Sequence, residues 1–416
     1  MTEATLFRKG FGLKKEVKKD IQQDYHSKLI TYLISHGNEL VLDNIHLFLA
    51  KDFGFCYGVD RAVEYAYQTK IKFPDRKIYL IGEIIHNPFV NSQINQMGIE
   101  ILDGLQQQNG DYSTIKPQDV VLIPAFGVQN DTLEKLKKQN CILVDTTCGS
   151  VLSVWKRVEQ YARDGFTAIV HGKFAHEETL ATCSQVTKYP GGKYVVVFDK
   201  SETQLICDFV EDKISSEEFK QKMAKTCIQD FDPDRDLQRV GCANQTTMLS
   251  SESLEIASMV EEAFINRYGP EEANERFRSF DTICSATQDR QDAIIELLQT
   301  KDLDLMLILG GYNSSNTSHL IEIASQYVPS FHIEGSNSLL NSNEIEHKLP
   351  FKKEIKIDKN WFKKDALRIG ITAGASTPNS KIGEVIYRLL NFRNISSNSI
   401  NAMILEQEEI PSTVSI

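Results

Sequence analysis

Three cysteines draw attention by where they sit. Cys148 lies in Asp145-Thr146-Thr147-Cys148-Gly149-Ser150, between a short apolar run ending at Val144 and a helix-like run from Val151 to Ala162. A thiol at such a strand-to-helix turn lies near backbone N–H groups and the positive end of a helix dipole, which favour the thiolate. Alone, Cys148 fits a nucleophile, a redox thiol, a metal ligand or a small buried residue. Cys56, in Gly54-Phe55-Cys56-Tyr57-Gly58-Val59, and Cys284, in Asp281-Thr282-Ile283-Cys284-Ser285, occupy similar turns far away in the chain. Three thiolates from remote segments can hold an iron–sulfur cluster and leave one metal corner free to bind substrate, while the cluster passes electrons. A zinc-assisted hydrolase with cysteine and histidine ligands draws on the same residue types. No C-x-x-C pair occurs, which argues against a zinc ribbon, a thioredoxin-type site and a ferredoxin-type cluster run.

A second set of residues could hold an anion. Thr246, Thr247, Ser314, Ser315, Asn316 and Ser376 fall where strands end and helices begin. Hydroxyls, amides and free helix N–H groups bind phosphate or carboxylate well. Each residue alone is equally a helix N-cap. Three such loops, two of them glycine-rich, point to an anionic ligand. There is no G-x-x-x-x-G-K-[ST] motif, so this is not a P-loop nucleotide site. His86, before Asn87-Pro88, and His176, in Lys173-Phe174-Ala175-His176-Glu177-Glu178-Thr179, can each donate a charge-assisted bond to an anion or serve as ordinary loop histidines. Glu178 is placed to relay protons or to complement a helix dipole from its first turn.

These loops imply the elements that present them. The chain has 416 residues, a formal net charge of −11, 25% charged and 41% hydrophobic residues. That describes a mildly acidic globular protein of two or three domains, without the basic surface of a nucleic-acid binder. No apolar run reaches the ~18–20 residues of a membrane helix. The N-terminus has no apolar signal core, so a cytoplasmic, reducing location is expected. From Ile45 onward strands, small polar loops and helices alternate, which predicts parallel α/β units with ligands at the carboxyl ends of strands. Domains are expected at 46–148, 149–279, with an insertion at about 202–232, and 280–395. Each offers a cysteine and polar loops, suggesting a pseudo-threefold, trefoil-like arrangement of α/β domains around one central site. Residues 1–45 are read as an N-terminal extension: a surface arm packing on the body or on a second subunit, with an amphipathic helix from Tyr25 to His36. Residues 396–416 are read as a polar C-terminal tail.

The set of motifs resembles the 4-hydroxy-3-methylbut-2-enyl diphosphate reductase family, the last enzymes of the methylerythritol phosphate route to isoprenoids. The matching stretches run in order: the Cys56 turn, His86-Asn87-Pro88, Asp145-Thr146-Thr147-Cys148, His176-Glu177-Glu178-Thr179, Gln245-Thr246-Thr247, Cys284-Ser285-Ala286-Thr287, Asn313-Ser314-Ser315-Asn316 and Thr372-Ala373-Gly374-Ala375-Ser376. The resemblance implies a central [4Fe–4S] cluster on Cys56, Cys148 and Cys284 with one open iron. It implies a diphosphate clamp of His86, His176, Ser314, Ser315, Asn316 and Ser376, weakening at high pH. Glu178 would be the proton donor, and Thr246 would position the substrate hydroxyl and share in proton relay. The product would be isopentenyl or dimethylallyl diphosphate. The common bacterial pattern has a histidine where this chain has Phe126, which removes one diphosphate contact; Lys173 is a candidate to replace it. Phe126, the extension and the insertion resemble the longer cyanobacterial and plastid branch, which implies ferredoxin, or flavodoxin, as electron donor. A homodimer is one use for the extension. Cys141, Cys183, Cys207, Cys227 and Cys242 match no ligand position and are read as structural.

Overall fold

The computed structural model describes residues 5–102, 112–280, 282–350, 352, 354–362 and 365–408. Asp281 and the outer ends of the extension and tail lie outside the described residues. The chain forms two compact units. The first comprises Met1–Gly12, Arg61–Ile85 and Asn91–Thr287; the second comprises Leu13–Asp60, His86–Val90 and Gln288–Ile416.

Two parallel sheets build the first unit. One has the order Leu6–Phe7, Ile142–Asp145, Val120–Ile123, Ile78–Ile81, Ile99–Leu102. Its strands Ile78–Ile81 and Val120–Ile123 are buried at every position, as strands covered on both faces must be. The other sheet has the order Phe277–Ser279, Val240–Asn244, Thr167–His171, Tyr194–Val197. The helix Gly149–Arg163 packs Val154, Val158 and Tyr161 onto Ala168 and Val170. The helix Ser250–Tyr268 packs Ile256, Val260 and Phe264 with Ile169 and Val240. Successive residues of one strand point to opposite faces, so these helices cover the two sides of the sheet. The insertion contributes helices Lys200–Val210 and Ser216–Met223, with Phe219 and Met223 buried in the core.

The second unit is built on a mixed seven-stranded sheet. Its order is Ile355–Lys359, Glu344–Lys348, Ser330–Ile333, Leu305–Leu309, Leu367–Ala373, Ile45–Leu49, Glu39–Leu42. The four central strands are parallel and the outer pairings antiparallel. The strand Ile45–Leu49, expected with the 46–148 segment, pairs instead with Leu367–Ala373. The register Ile45↔Leu367 through Leu49↔Ile371 buries Leu47 between apolar neighbours.

The chain ends are structural. Leu6–Phe7 is an edge strand of the first sheet. The expected helix from Tyr25 to His36 is the shorter Lys28–Ser35, and a separate helix, Lys14–Tyr25, precedes it. They part at Ser27, whose hydroxyl caps the second by accepting from the Ile30 N–H. Leu29, Ile30 and Leu33 then enter the core rather than covering a surface. Part of the expected polar tail is the helix Ser397–Glu408, which buries Ile400 and Ile404, spaced four apart, in the same core.

Candidate active site

In the first unit, the turn before Cys148 is set by Asp145. Its Oδ1 accepts from the Thr147 N–H at 3.0 Å and from the Thr147 hydroxyl at 2.5 Å. Thr146 anchors the other side, its Oγ1 donating to the Ile123 carbonyl at 2.6 Å. Cys148 donates its N–H to the Ala125 carbonyl at 2.7 Å and caps the helix Gly149–Arg163. One residue into that helix, the Ser150 hydroxyl lies 3.3 Å from Cys284 Sγ. Cys284 donates its N–H to the Thr246 carbonyl at 3.3 Å and precedes the helix Ser285–Thr300. Residues from three remote loops thus meet in this unit.

Glu178 joins them. It is 3% exposed, and its Oε1 accepts from the Thr246 N–H at 2.6 Å. Its own N–H donates to His176 Nδ1 at 3.2 Å, so His176 is the N-cap of the helix Glu177–Cys183. An Nδ1 that accepts leaves the ring proton on Nε2, the nitrogen then able to donate to an anion. His176 therefore needs no positive charge to donate. The expected weakening of anion binding at high pH does not follow from this histidine. Phe126 is 9% exposed and meets the His176 ring edge-on, with centroids 6.4 Å apart. Phe126, which cannot donate, thus packs as an aromatic ring against the histidine.

The sequence reading missed Gln245 as an organiser. This fully buried side chain accepts at Oε1 from the Lys173 N–H (3.1 Å) and the Thr179 hydroxyl (3.0 Å), and Nε2 donates to the Thr247 hydroxyl (2.7 Å). Its N–H donates to the His171 carbonyl at 2.8 Å. One amide thereby ties the His176–Glu178 loop to the Thr246 loop. Gly172 permits the approach: a Cβ there would stand 2.8 Å from Thr179 Oγ1 and 3.0 Å from Gln245 Cβ. The available signal was its place directly before Thr246.

The second unit holds Cys56, His86, Ser314, Ser315, Asn316 and Ser376. Cys56 donates its N–H to the Ala375 carbonyl at 3.1 Å and stands just before the helix Tyr57–Lys72. Gly54 turns the chain with φ +71°, where a Cβ would lie 2.9 Å from Asn379 Oδ1. Ser314 caps the helix Ser315–Ala324, accepting from the Thr317 N–H at 3.3 Å. Asn316 uses Oδ1 to accept from the Ala375 N–H at 2.9 Å. Its Nδ2 is buried with no partner among the described residues, and the residue is only 3% exposed. Ser376 donates its hydroxyl to the His86 carbonyl at 3.2 Å. Hydroxyls, a helix N-terminus and an unfilled amide donor form a surface suited to an oxyanion.

The cysteines divide into two chemical classes. Burial pushes the Cys141 thiol up to about 11 and the Cys207 and Cys227 thiols up to about 12. It pushes Cys183 and Cys242 higher still. These five stay protonated at neutral pH, unsuited to metal binding. Cys56, Cys148 and Cys284 are half-buried, as Cys227 is, and what sets these three apart is their place in the chain. Each is the residue just before a helix of 16, 15 and 16 residues respectively. Thiolates at helix N-termini fit iron–sulfur ligation.

The sequence profile of the LytB protein family matches residues 47–390. The chain belongs to the LytB family. It is 43% identical to the 4-hydroxy-3-methylbut-2-enyl diphosphate reductase of Thermosynechococcus vestitus, covering 94% of this chain and 96% of that one. It is 42% identical to the reductase of Gloeobacter violaceus, covering 97% and 96%. A solved structure described as (E)-4-hydroxy-3-methyl-but-2-enyl diphosphate reductase, the terminal enzyme of the non-mevalonate pathway, is similar with a TM-score of 0.50 and 26% identity, covering 83% of this chain and 99% of that one. The E-1-hydroxy-2-methyl-but-2-enyl-4-diphosphate reductase of Plasmodium falciparum shares the fold at a TM-score of 0.61 and 20% identity, covering 88% and 100%. The α/β class and parallel sheets expected from the sequence are those of these LytB relatives. No helix among the described residues is long and apolar enough to cross a membrane.

Proposed function

We propose that the chain is a 4-hydroxy-3-methylbut-2-enyl diphosphate reductase. The reaction takes two electrons and two protons into (E)-4-hydroxy-3-methylbut-2-enyl diphosphate. The C4–O bond breaks, water leaves, and isopentenyl or dimethylallyl diphosphate forms. The observation that carries the reading is the division of the cysteines: five held as thiols by burial, three at the starts of long helices. The family implies a [4Fe–4S] cluster, and Cys56, Cys148 and Cys284 are the residues that would hold it. When bound, this group supplies single electrons and an open iron for the substrate oxygen.

The chain's own residues do the rest. Ser314, Ser315, Asn316 and Ser376 supply donors to the diphosphate, Asn316 through its unfilled Nδ2. His176 donates through Nε2–H, and His86 completes the clamp. Glu178 is the acid, shielded from water and oriented by the Thr246 N–H. Thr246 positions the substrate hydroxyl beside it. Phe126 holds the His176 ring in place of a further donor.

The reading extends to architecture and partners. We read α/β domains at 46–148, 149–279 and 280–395, with the strand Ile45–Leu49 belonging to the sheet of the last. The extension serves the fold first and a homodimer second. The enzyme is cytoplasmic and draws electrons from ferredoxin or flavodoxin. The test is iron and acid-labile sulfide analysis of anaerobically prepared protein. A brown protein with the content of a [4Fe–4S] cluster is expected; a colourless one that takes up no iron on reconstitution refutes the reading.

A further inference from the structure

In the first unit, a cavity of about 610 Å³ collects positive charge. Lys193, Arg235 and Arg239 line it, with Thr167, Asp230 and Asp236. Thr167 opens the strand Thr167–His171, Lys193 directly precedes Tyr194–Val197, and Arg239 directly precedes Val240–Asn244. These strands are adjacent and parallel, so the cavity lies at their amino ends. Gln245 and Thr246 follow the other end of Val240–Asn244. The five residues of that strand, at ~3.3 Å each, put roughly 16 Å between its two ends. The cavity is therefore separate from the candidate active site.

Its cations are held in place. Lys193 Nζ and Arg235 Nη2 both donate to the Asp230 carbonyl, at 3.3 Å and 3.2 Å. The two nitrogens are thus no farther apart than those distances laid end to end. Arg235 is neutralised by Asp236, which accepts from Nε at 2.6 Å and from Nη2 at 2.8 Å. Arg239 donates to the Asp164 carbonyl at 3.3 Å and the Glu275 carbonyl at 3.4 Å, and its guanidinium lies 4.1 Å from the centre of the Phe166 ring. Carbonyls and a ring fix this side chain without cancelling its charge. Asp and Glu outnumber Lys and Arg by 57 to 46 in the chain, and Arg163, Arg276 and Arg278 of the same unit are each paired with a carboxylate. Lys193 and Arg239 have no carboxylate partner among the described residues.

Two uncompensated cations facing one cavity repel each other, and an anion placed there relieves the repulsion. A phosphate accepts charge-assisted bonds from an ammonium and a guanidinium alike. Because Arg239 is already fixed, little side-chain freedom is lost on binding. The volume falls within the ~300–1,000 Å³ of small-molecule sites and leaves room beyond a phosphate. Asp236 is spent on Arg235, so Asp230 is the acid of the lining that faces a ligand. Its carboxylate repels a bare anion and accepts from a hydroxyl.

We propose that this cavity binds a phosphorylated small molecule bearing hydroxyls, of the sugar-phosphate class. Lys193 and Arg239 take the phosphate, and Asp230 accepts from a hydroxyl. The proposal stands apart from the reductase reading and does not depend on it.

The test is calorimetric titration of the anaerobically prepared full chain with ribose 5-phosphate and with inorganic phosphate at low salt. Wild type is compared with Lys193→Met, Arg239→Met, Asp230→Asn and, as a control on the diphosphate clamp, Asn316→Ala. Ribose 5-phosphate should bind wild type and Asn316→Ala alike, and each methionine variant about tenfold more weakly. Asp230→Asn should weaken ribose 5-phosphate and tighten inorganic phosphate. No binding of ribose 5-phosphate to wild type, or wild-type affinity in both methionine variants, overturns the proposal. Binding that is lost in Asn316→Ala belongs to the clamp and overturns it as well. Shifts of the same sign for both probes in Asp230→Asn overturn the hydroxyl contact. Should Arg239→Met fail to fold, Lys193→Met decides alone, since Lys193 gives up only a bond to a carbonyl, and unchanged affinity there overturns the site.

Discussion

In the first unit the candidate catalytic groups are bound to one another. Glu178 accepts from the Thr246 N–H, His176 accepts from the Glu178 N–H, and Cys284 donates its N–H to the Thr246 carbonyl. In the second unit the donors are only partly engaged. Asn316 spends Oδ1 on Ala375 and leaves Nδ2 buried without a partner among the described residues. The first arrangement suits a group whose position must not drift while it gives up a proton. The second suits a surface completed by its ligand, because a buried donor without an acceptor costs about 1–3 kcal/mol. Loss of Glu178 should therefore fall on turnover and loss of the Asn316 amide on binding.

Removing a ligand should have the largest effect. Cys148→Ser is expected to abolish cluster retention and activity together, whereas Cys207→Ala should leave iron content unchanged; iron analysis of both separates the two cysteine classes. Glu178→Gln should keep the cluster but lower kcat by about 10²–10⁴-fold, the usual worth of a positioned acid. Normal kcat in that variant would remove Glu178 from the mechanism. Asn316→Ala should act mainly on KM and lower kcat/KM by about 1–3 kcal/mol in transition-state terms. A fall in kcat at unchanged KM would erase the contrast between the units.

The smallest effect concerns stability. His332 is 1% exposed and donates through Nε2 to the Gly310 carbonyl at 3.0 Å, bracing the loop before Ser314. Burial pushes its pKa down from 6.5 to about 3. The native state thus refuses a proton that the unfolded chain accepts below 6.5. Stability is fully present above that value and declines as pH falls toward about 3. The loss should reach about 2 kcal/mol at pH 5, and His332→Gln should flatten the slope in denaturant unfolding at pH 5 and pH 7. An unchanged slope would show that other groups govern acid stability.

Much of this site was legible because its residues lie on loops directly after apolar strands, as the Cys148 and Ser314 loops do. The helix-start position of the cysteines was readable for the same reason. Gln245 was not, nor were Lys193 and Arg239 of the second cavity, because their partners are fixed only by the fold. Lys193 reaches a carbonyl 37 residues away and Arg239 one 75 residues away, and carbonyls leave no side-chain signature. The role of the extension was hidden because its core contacts come from Leu29, Ile30 and Leu33 on a helix of only eight residues. The Ser397–Glu408 helix was masked by polar residues around Ile400 and Ile404. The strand Ile355–Lys359 was missed because it is largely exposed and lacks a buried face to set its pattern.

The most direct test of the account is a single turnover. Anaerobically reconstituted protein, reduced by a low-potential donor, is mixed with (E)-4-hydroxy-3-methylbut-2-enyl diphosphate and the products are separated. Isopentenyl and dimethylallyl diphosphate, formed at the expense of two electrons per molecule, are predicted. Unchanged substrate, or release of inorganic phosphate, from a cluster-loaded enzyme would contradict it.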